Sequence, residues 1–205
     1  FNGPRGIALA PNGDLLVTEL NNHVVRRITA SGEVTLFAGV PGVAGALDGS
    51  AAEANFRSPT DLAVDALGTV YVVDAGNHLL RRISAAGQVE TLAGAAGEPG
   101  STDGNAGFAR FFQPTGVAVD PAGNVYVSDT GNHTIRAIAP DGAVSTVAGV
   151  AGALGSTNGT GATARFNAPA GLALAPDGRL FVADTSNHTI RVAAIDGTSS
   201  VPVLT

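Results

Sequence analysis

The segment Asp129–Arg136, "DTGNHTIR", places an acid, an amide, an imidazole and a guanidinium within eight residues. A carboxylate close to an imidazole is a combination used in general acid–base catalysis and in metal sites. The same combination occurs in "ELNNHVVR" from Glu19, "DAGNHLLR" from Asp74 and "DTSNHTIR" from Asp184. Because one molecule rarely needs several copies of a catalytic centre, this recurrence favours a structural turn that every unit of a repeat protein requires.

These segments belong to a repeat with a fixed period of 55 residues. The chain comprises three full units of 55 residues and a fourth of 40. A fixed period of this length is typical of architectures in which one unit cannot bury its apolar surface alone. The matching positions are His23, His78, His133 and His188; Phe1, Phe56, Phe111 and Phe166; Pro4, Pro59, Pro114 and Pro169; and Arg26, Arg81, Arg136 and Arg191.

Each unit is predicted to form four short antiparallel strands. In the third unit, the turn sequence "DPAGN" separates "GVAV" from "VYVS", and Pro140, Asp141 and Gly142 join "HTIRAIA" to "AVSTVAG". Proline presets φ at such turns and glycine tolerates a positive φ. The apolar runs do not alternate cleanly with polar residues. Both faces of each small sheet should therefore be covered, as in the radially stacked blades of a β-propeller.

The pattern Pro-x-Gly-[IVL]-Ala-[VL]-Asp-x-x-Gly-x-[VL]-[YF]-Val-x-Asp-x-x-Asn-His-x-[IL]-Arg resembles the NHL repeat, and "GNHLL" at Gly76–Leu80 carries the Asn-His-Leu signature. The resemblance covers essentially the whole chain and implies an all-β propeller of four-stranded antiparallel blades, most often about six in this family. It predicts blades at about 1–39, 56–94, 111–149 and 166–205, with long linkers at 40–55, 95–110 and 150–165. The family includes protein-binding modules, RNA-binding modules and a metal-dependent peptide lyase, so the resemblance does not fix an activity.

The repeated polar residues are interpreted as turn anchors. We expect each imidazole N–H to donate to a backbone carbonyl and each aspartate to accept backbone N–H groups as in an Asx turn. The repeated arginines should reach a carboxylate or carbonyl of the next blade. In the linkers, Asp48 and Asp103 are expected to form Asp-Gly turns, because single carboxylates one blade apart do not make a calcium site. The predicted structural set is Asp74, Asn77, His78, Asp129, Asn132, His133, Asp184, Asn187 and His188.

A ligand is expected where the repeats differ. Asp61 stands at the start of an innermost strand where the other three units have glycine. Arg5 and Asp61 would flank one ligand near the axis; the alternative is a solvated pair at the rim. The candidate ligand-binding residues are Arg5, Thr60, Asp61, Thr115 and Glu98, the last of which is unique to its linker. None of them forms a pair of nucleophile and base, so no catalytic residue, metal ligand or cofactor is predicted.

Composition narrows the remaining function classes. The chain has no cysteine, which excludes thiol catalysis and zinc–thiolate sites, and it has no apolar run long enough to span a membrane. Its net charge of −6 opposes nucleic-acid binding. A non-catalytic scaffold that binds a protein, peptide or glycan through its loop face is the favoured function. A metal-dependent enzyme resembling the peptide-amidating lyases is the alternative.

Two further expectations follow from the linkers and the number of units. The linkers resemble those of large secreted or cell-surface proteins, which suggests an extracellular, cell-surface or periplasmic location. The composition, with all basic residues arginine, suggests a bacterial source. Four blades shaped for a six-fold ring would form an open arc with two bare end faces, so further blades from a longer chain or another subunit are expected. A closed four-bladed ring is the rival.

Overall fold

The computed structural model describes residues 1–195 and 202–204 of the chain. Its strands form four antiparallel sheets, and each sheet contains a meander of four sequential strands. The first blade comprises β1 (Pro4–Leu9), β2 (Leu15–Glu19), β3 (Val24–Ile28) and β4 (Val34–Ala38). The all-β propeller of four repeats predicted from the sequence is therefore confirmed. Residues 196–201 and 205 of the predicted fourth blade lie outside the described residues.

The other three blades repeat this arrangement. The second contains β6 (Pro59–Val64), β7 (Val70–Asp74), β8 (Leu79–Ile83) and β9 (Gln88–Ala93). The third contains β11 (Gly116–Val119), β12 (Val125–Asp129), β13 (Thr134–Ile138) and β14 (Ala143–Ala148). The fourth contains β16 (Pro169–Leu174), β17 (Arg179–Asp184), β18 (Thr189–Ala194) and β19 (Pro202–Leu204). Short 3-10 turns cover Ala75–Asn77, Thr130–Asn132, Gly161–Thr163 and Thr185–Asn187.

Each linker adds a fifth strand that the sequence pattern did not predict. The two-residue strands β5 (Gly49–Ser50), β10 (Gly104–Asn105) and β15 (Gly159–Thr160) pair antiparallel with β9, β14 and β19, the outermost strands of the meanders. An outermost strand otherwise presents a row of unpaired backbone groups. The linkers thus cover part of the edge of the blade that follows them.

The blades stack around an axis lined by their first strands. β6 contacts both β1 and β11, and β11 contacts β16. Three clusters of buried apolar side chains fill the successive interfaces, and Phe56, Phe111 and Phe166 are each fully buried in one of them. We call the end of the arc that carries the linkers and the β2–β3 type of turn the linker end. The opposite end, with the β1–β2 and β3–β4 types of turn, is the hairpin end.

The outer faces of the first and last blades are open to solvent. Ile7 and Val34 on the first blade are 60% and 49% exposed, whereas their repeat equivalents Leu62 and Val89, covered by the preceding blade, are 3% and 2% exposed. On the last blade Ile190 is 59% exposed, although its equivalent Ile135 is 1% exposed. The four described blades therefore form an open arc rather than the closed four-bladed ring.

Candidate functional site

The aspartate of the repeated motif is a buried hub of hydrogen bonds. In the second blade, Asp74 Oδ1 accepts the backbone N–H of Arg57 at 2.6 Å. Asp74 Oδ2 accepts from Asn77 Nδ2 at 2.8 Å and from Arg81 Nη1 at 3.1 Å. The N–H donor comes from a residue 17 positions earlier, so the expected local Asx turn is wrong. The carboxylate instead fixes the chain where the linker enters the blade.

In the second, third and fourth blades the repeated arginine is fully buried and connects the blade to the linker that precedes it. Arg81 Nη1 donates to Asn55 O at 2.8 Å, and Nη2 donates to Leu47 O at 3.0 Å and Asp48 Oδ1 at 2.6 Å. The guanidinium also lies 5.2 Å from the centre of the Phe56 ring, a favourable cation–π distance. Arg136 and Arg191 make the equivalent contacts in the next two blades.

One expectation about this arginine and one about the linker acids are wrong. It points toward the preceding blade and linker, not the next blade, because β8 presents its side chain on the sheet face that the preceding blade covers. The linker acids are its partners: Asp103 Oδ1 accepts from Arg136 Nη2 at 2.6 Å, as Asp48 does from Arg81. These carboxylates serve as counter-ions for buried guanidinium groups. The glycine after each acid begins β5 or β10, so the predicted Asp-Gly turn is absent.

The repeated histidine joins each blade to the next. His78 and His133 have φ angles of 62° and 59°, in the left-handed region, at the end of their 3-10 turns. His78 Nδ1 accepts the backbone N–H of Gln113 at 3.1 Å, and His133 Nδ1 accepts that of Ala168 at 3.0 Å. The expected donation from the imidazole to a carbonyl is therefore wrong: Nδ1 is an acceptor, so the ring must be neutral with its proton on Nε2. Burial, helped by Arg57, lowers the pKa of His78 and favours this neutral form.

In the first blade Glu19 takes the place of the repeated aspartate and accepts the same set of hydrogen bonds. Glu19 Oε1 accepts the Asn2 N–H at 2.8 Å, and Oε2 accepts from Asn22 Nδ2 and Arg26 Nε. The longer side chain thus reproduces the three contacts of the aspartate. A structural anchor tolerates this change because only the hydrogen-bond acceptors have to be conserved.

The candidate residues near the axis take part in hydrogen bonds between blades. Thr60 Oγ1 donates to Thr115 O at 2.9 Å, and Asp61 Oδ2 accepts the Val117 N–H at 3.1 Å. A methyl group on Gly6 would lie 2.5 Å from Asp61 Oδ1, so the carboxylate is packed against the first blade as well. The structure thus brings Thr60, Asp61 and Thr115 together where the first strands of the first three blades meet.

The second blade uses a different hydroxyl from its neighbours for the donation across the blade interface. Thr18 in the first blade and Ser128 in the third donate across the interface to Thr60 O and Ala170 O, at 3.3 Å and 2.5 Å. The equivalent residue of the second blade is Val73, which has no hydroxyl. There Thr60 Oγ1 donates to the equivalent carbonyl, Thr115 O, and Asp61 adds an acceptor for the Val117 N–H. Burial raises the pKa of Asp61 to about 6, with the N–H groups of Val117 and Leu62 opposing that rise. Sequence reasoning missed Thr18 and Ser128. They could have been found by comparing one repeat position, which holds a hydroxyl residue in the first and third units and Val73 in the second.

Among the described residues, no hydrogen bond or ion pair joins the side chain of Arg5 or Glu98 to this cluster. Arg5 is exposed, and within residues 1–195 and 202–204 it forms no ion pair with Asp61. Glu98 is exposed and its Oε2 accepts from Arg110 Nη2 at 2.7 Å, which closes its own linker. The equivalent linker of the fourth blade has Arg165 without an acid. Arg165 Nη1 donates to Ala162 O and Ala164 O, as Arg110 Nη1 donates to Gly107 O and Ala109 O. Ligand binding by these five residues stays a prediction.

Across the described part of the chain, no group of three or more His, Asp or Glu side chains is arranged to hold a metal ion. No described helix combines the length and the apolar character that crossing a membrane requires.

A cavity of about 530 Å³ at the hairpin end of the axis is lined by Val119, Leu174 and the turn residues Asp65 and Asp120. Those two aspartates accept N–H groups of their own turns, such as Thr69 N and Asn124 N.

Comparison with known proteins gives relatives with the same repeat. NHL repeat-containing protein 2 of Bos taurus is 32% identical over 157 residues, which cover 70% of this chain and 22% of that protein. A Bacteroides thetaiotaomicron protein of unknown function superposes with a TM-score of 0.78 at 25% identity, over 98% of this chain and 47% of that one. Virginiamycin B lyase from Staphylococcus aureus superposes with a TM-score of 0.67 at 17% identity, over 99% of this chain and 55% of the lyase. The last similarity concerns the fold alone.

The chain spans about a fifth of the curated relative and about half of these solved structures. The sequence pattern of the family described as NHL repeat matches residues 1–28, 56–83, 111–138 and 166–193. Each match begins at the repeated phenylalanine and ends after the buried arginine, so it covers the hub, the histidine and the first three strands of a blade. This chain belongs to the NHL repeat family.

Proposed function

We propose that the chain is a non-catalytic interaction module that binds a protein, peptide or glycan through its loop face, the surface formed by the three linkers. The observation that carries this proposal is that the repeated polar side chains stabilise the fold, whereas the linkers vary and face solvent. Apart from His188, the repeated aspartates, arginines and histidines that could do chemistry take part in hydrogen bonds within and between blades. The linkers face solvent, and they differ from unit to unit.

The linkers expose apolar side chains that the fold does not use. Phe108 in the second linker is 75% exposed and Leu154 in the third is 62% exposed. In the first linker, Val43 and Leu47 are 46% and 58% exposed. Rigid scaffolds commonly carry their binding residues on such loops, and loops of this length without a binding or catalytic role are uncommon. Apolar side chains presented on a rigid frame fit a protein, peptide or glycan surface better than a reaction centre.

The test screens the immobilised chain against a glycan array and a peptide phage-display library. We expect at least one class to be enriched, and binding of the selected ligand to be lost in Phe108→Ala or Leu154→Ala. Leu67→Ala is the matched control, because Leu67 is 85% exposed but lies in a turn at the hairpin end. Enrichment that survives both linker substitutions and disappears in the control would overturn the loop face as the binding surface.

The alternative, a metal-dependent enzyme resembling the peptide-amidating lyases, is tested on the same sample by metal analysis. Stoichiometric metal in the purified chain, together with cleavage of a hydroxyglycine-extended peptide, would support the enzyme and contradict the interaction module.

We also propose an extracellular, cell-surface or periplasmic location in a bacterium. Fractionation of cells that produce the full-length protein tests this location, and recovery in the cytoplasm would contradict it.

We further propose that additional blades, from a longer chain or another subunit, cover the free faces of the first and last blades. The exposed Ile7, Val34 and Ile190 support this proposal, because a neighbouring blade buries their equivalents Leu62, Val89 and Ile135. His188 supports it as well. Its φ of 57° matches that of His133, but no described residue donates to its imidazole, whereas His133 holds the following blade.

A further inference from the structure

One position of the blade differs in a way that changes the space between two blades. One repeat position in the second strand of the meander is occupied by Leu16, Tyr71, Tyr126 and Phe181 in the four units. The second and third blades therefore carry a phenol at this position, the fourth carries a benzene ring, and the first carries an aliphatic side chain. The side chain lies near the hairpin end and faces the following blade.

In the second and third blades the phenol fills this part of the interface. Tyr71 and Tyr126 are 8% and 3% exposed. Tyr71 Oη donates to Asp65 Oδ2 at 3.3 Å, and Tyr126 Oη donates to Asp120 Oδ2 at 3.2 Å. Each ring packs in the apolar cluster shared with the next blade, and each hydroxyl is held by a turn aspartate.

In the first blade both the phenol and its acid are absent. Leu16 replaces the tyrosine and Ala10 replaces the aspartate. A cavity of about 370 Å³ lies at this place between the first and second blades, and both Ala10 and Leu16 line it. Phe37 completes the wall of the first blade, and Val64 and Val70 form the opposite wall. The cavity is therefore the space that the neighbouring interface fills with a tyrosine ring.

A polar group at the edge of this cavity is specific to the first blade. Asp14 is 6% exposed, and its Oδ2 accepts from Arg27 Nε at 2.6 Å and from Asn12 Nδ2 at 2.7 Å. Arg27 Nη2 also lies 2.5 Å from Oδ2. All three residues line the cavity. The equivalents of Asp14 are Thr69, Asn124 and Arg179, so no other unit has a carboxylate there. Asp14 Oδ1 takes no part in these contacts, so it is available to accept a hydrogen bond from a hydroxyl group.

We propose that this cavity binds a small phenol, a free single-ring molecule whose ring takes the place of the missing tyrosine side chain. An apolar cavity of about 150 Å³ already binds benzene, and small-molecule sites commonly start at about 300 Å³. The volume therefore accommodates a ring with a substituent. The phenol hydroxyl donates to Asp14, as Tyr71 donates to Asp65, and the ring packs against Leu16, Val64 and Val70. This site lies at the hairpin end and is independent of the loop face.

The test measures binding of 4-fluorophenol by ¹⁹F NMR, with cyclohexanol as a non-aromatic competitor. We expect saturable binding by the parent chain and by Leu16→Ile, which keeps the side-chain volume. Leu16→Tyr restores the ring that the other blades have, and it should weaken binding at least about tenfold, the factor that corresponds to roughly 1.4 kcal/mol. Val64→Phe fills the cavity from the opposite wall and is expected to do the same, which keeps the test valid if Leu16→Tyr fails to fold.

Three results would overturn the proposal. The first is the absence of saturable binding by the parent chain. The second is equal binding of 4-fluorophenol by the parent chain and by both Leu16→Tyr and Val64→Phe. The third is displacement of 4-fluorophenol by cyclohexanol at the same concentration as by unlabelled phenol, which would remove the preference for an aromatic ring. A pentapeptide with one central tyrosine distinguishes the source of the ring: binding of this peptide without binding of the free phenol would also contradict a small-molecule site.

Discussion

Replacing His133 with alanine removes one hydrogen bond between the third and fourth blades and changes little else. His133 Nδ1 accepts the partly buried Ala168 N–H at 3.0 Å. Without this acceptor the N–H is left unsatisfied, so the free energy of unfolding should fall by about 1–3 kcal/mol. The φ of 59° is unfavourable for any residue with a Cβ atom, and histidine and alanine bear a similar backbone cost there. The change therefore reports mainly on the bond.

His188→Ala is the matched control for this prediction. His188 has a φ of 57°, and its neighbours Asn187 and Thr189 match Asn132 and Thr134 around His133. It is exposed, and among the described residues none donates to its imidazole. Its replacement should therefore cost less than about 0.5 kcal/mol, as for an ordinary surface substitution. The difference between the two variants isolates the contact between blades.

Two measurements check the prediction. Urea unfolding followed by far-UV circular dichroism gives the global effect, and amide hydrogen exchange at Ala168 gives the local one. The second is needed because the stability of a repeat protein is distributed over units and interfaces. The role of the His133–Ala168 hydrogen bond would be refuted if the two alanine substitutions destabilised the chain equally. It would also be refuted if protection of the Ala168 amide were unchanged in His133→Ala. Stoichiometric metal that is present in the parent and lost in His133→Ala would show that the histidine is a ligand instead.

Three further predictions concern charge and closure. Burial raises the pKa of Asp61 to about 6. The folded chain therefore binds this proton more tightly than the unfolded chain, and the associated stability is complete below about pH 4 and lost as the pH rises through about 6, on the order of 2–3 kcal/mol. Asp61→Asn should remove that loss, so an unchanged slope of stability against pH between 4 and 7 would contradict the burial argument. The net charge of −6 predicts no measurable affinity for a single-stranded RNA or DNA oligonucleotide at physiological salt, and sub-micromolar binding by fluorescence polarisation would overturn it. Each free blade face is about 300 Å² from strand spacing and rise, and covering it contributes up to about 8 kcal/mol. We therefore expect self-association or an open-arc profile in light scattering and solution scattering, and a compact monomer with a closed-ring profile would exclude further blades.

The structural role of the repeated motif was predictable because it depends on recurrence. A residue that recurs at every 55-residue step, as His78 and His133 do, serves something that every blade needs. The strands were predictable too, since each turn sequence such as "DPAGN" sets the chain reversal locally. The Ala10–Leu16 and Asp65–Tyr71 difference was also visible at the 55-residue step, although without a fold it had no spatial meaning.

The amino-acid sequence by itself determined the period, the number of units, the strands within each unit and the separation of anchor residues from variable ones. These features depend on local turn chemistry and on repetition. Only the tertiary structure decided which blade each side chain faces. His133 bonds a residue 35 positions later, whereas Arg136 bonds residues 26 and 34 positions earlier. Sequence spacing does not encode this direction, because it depends on which face of a strand the side chain occupies and on how the twisted blades stack around the axis.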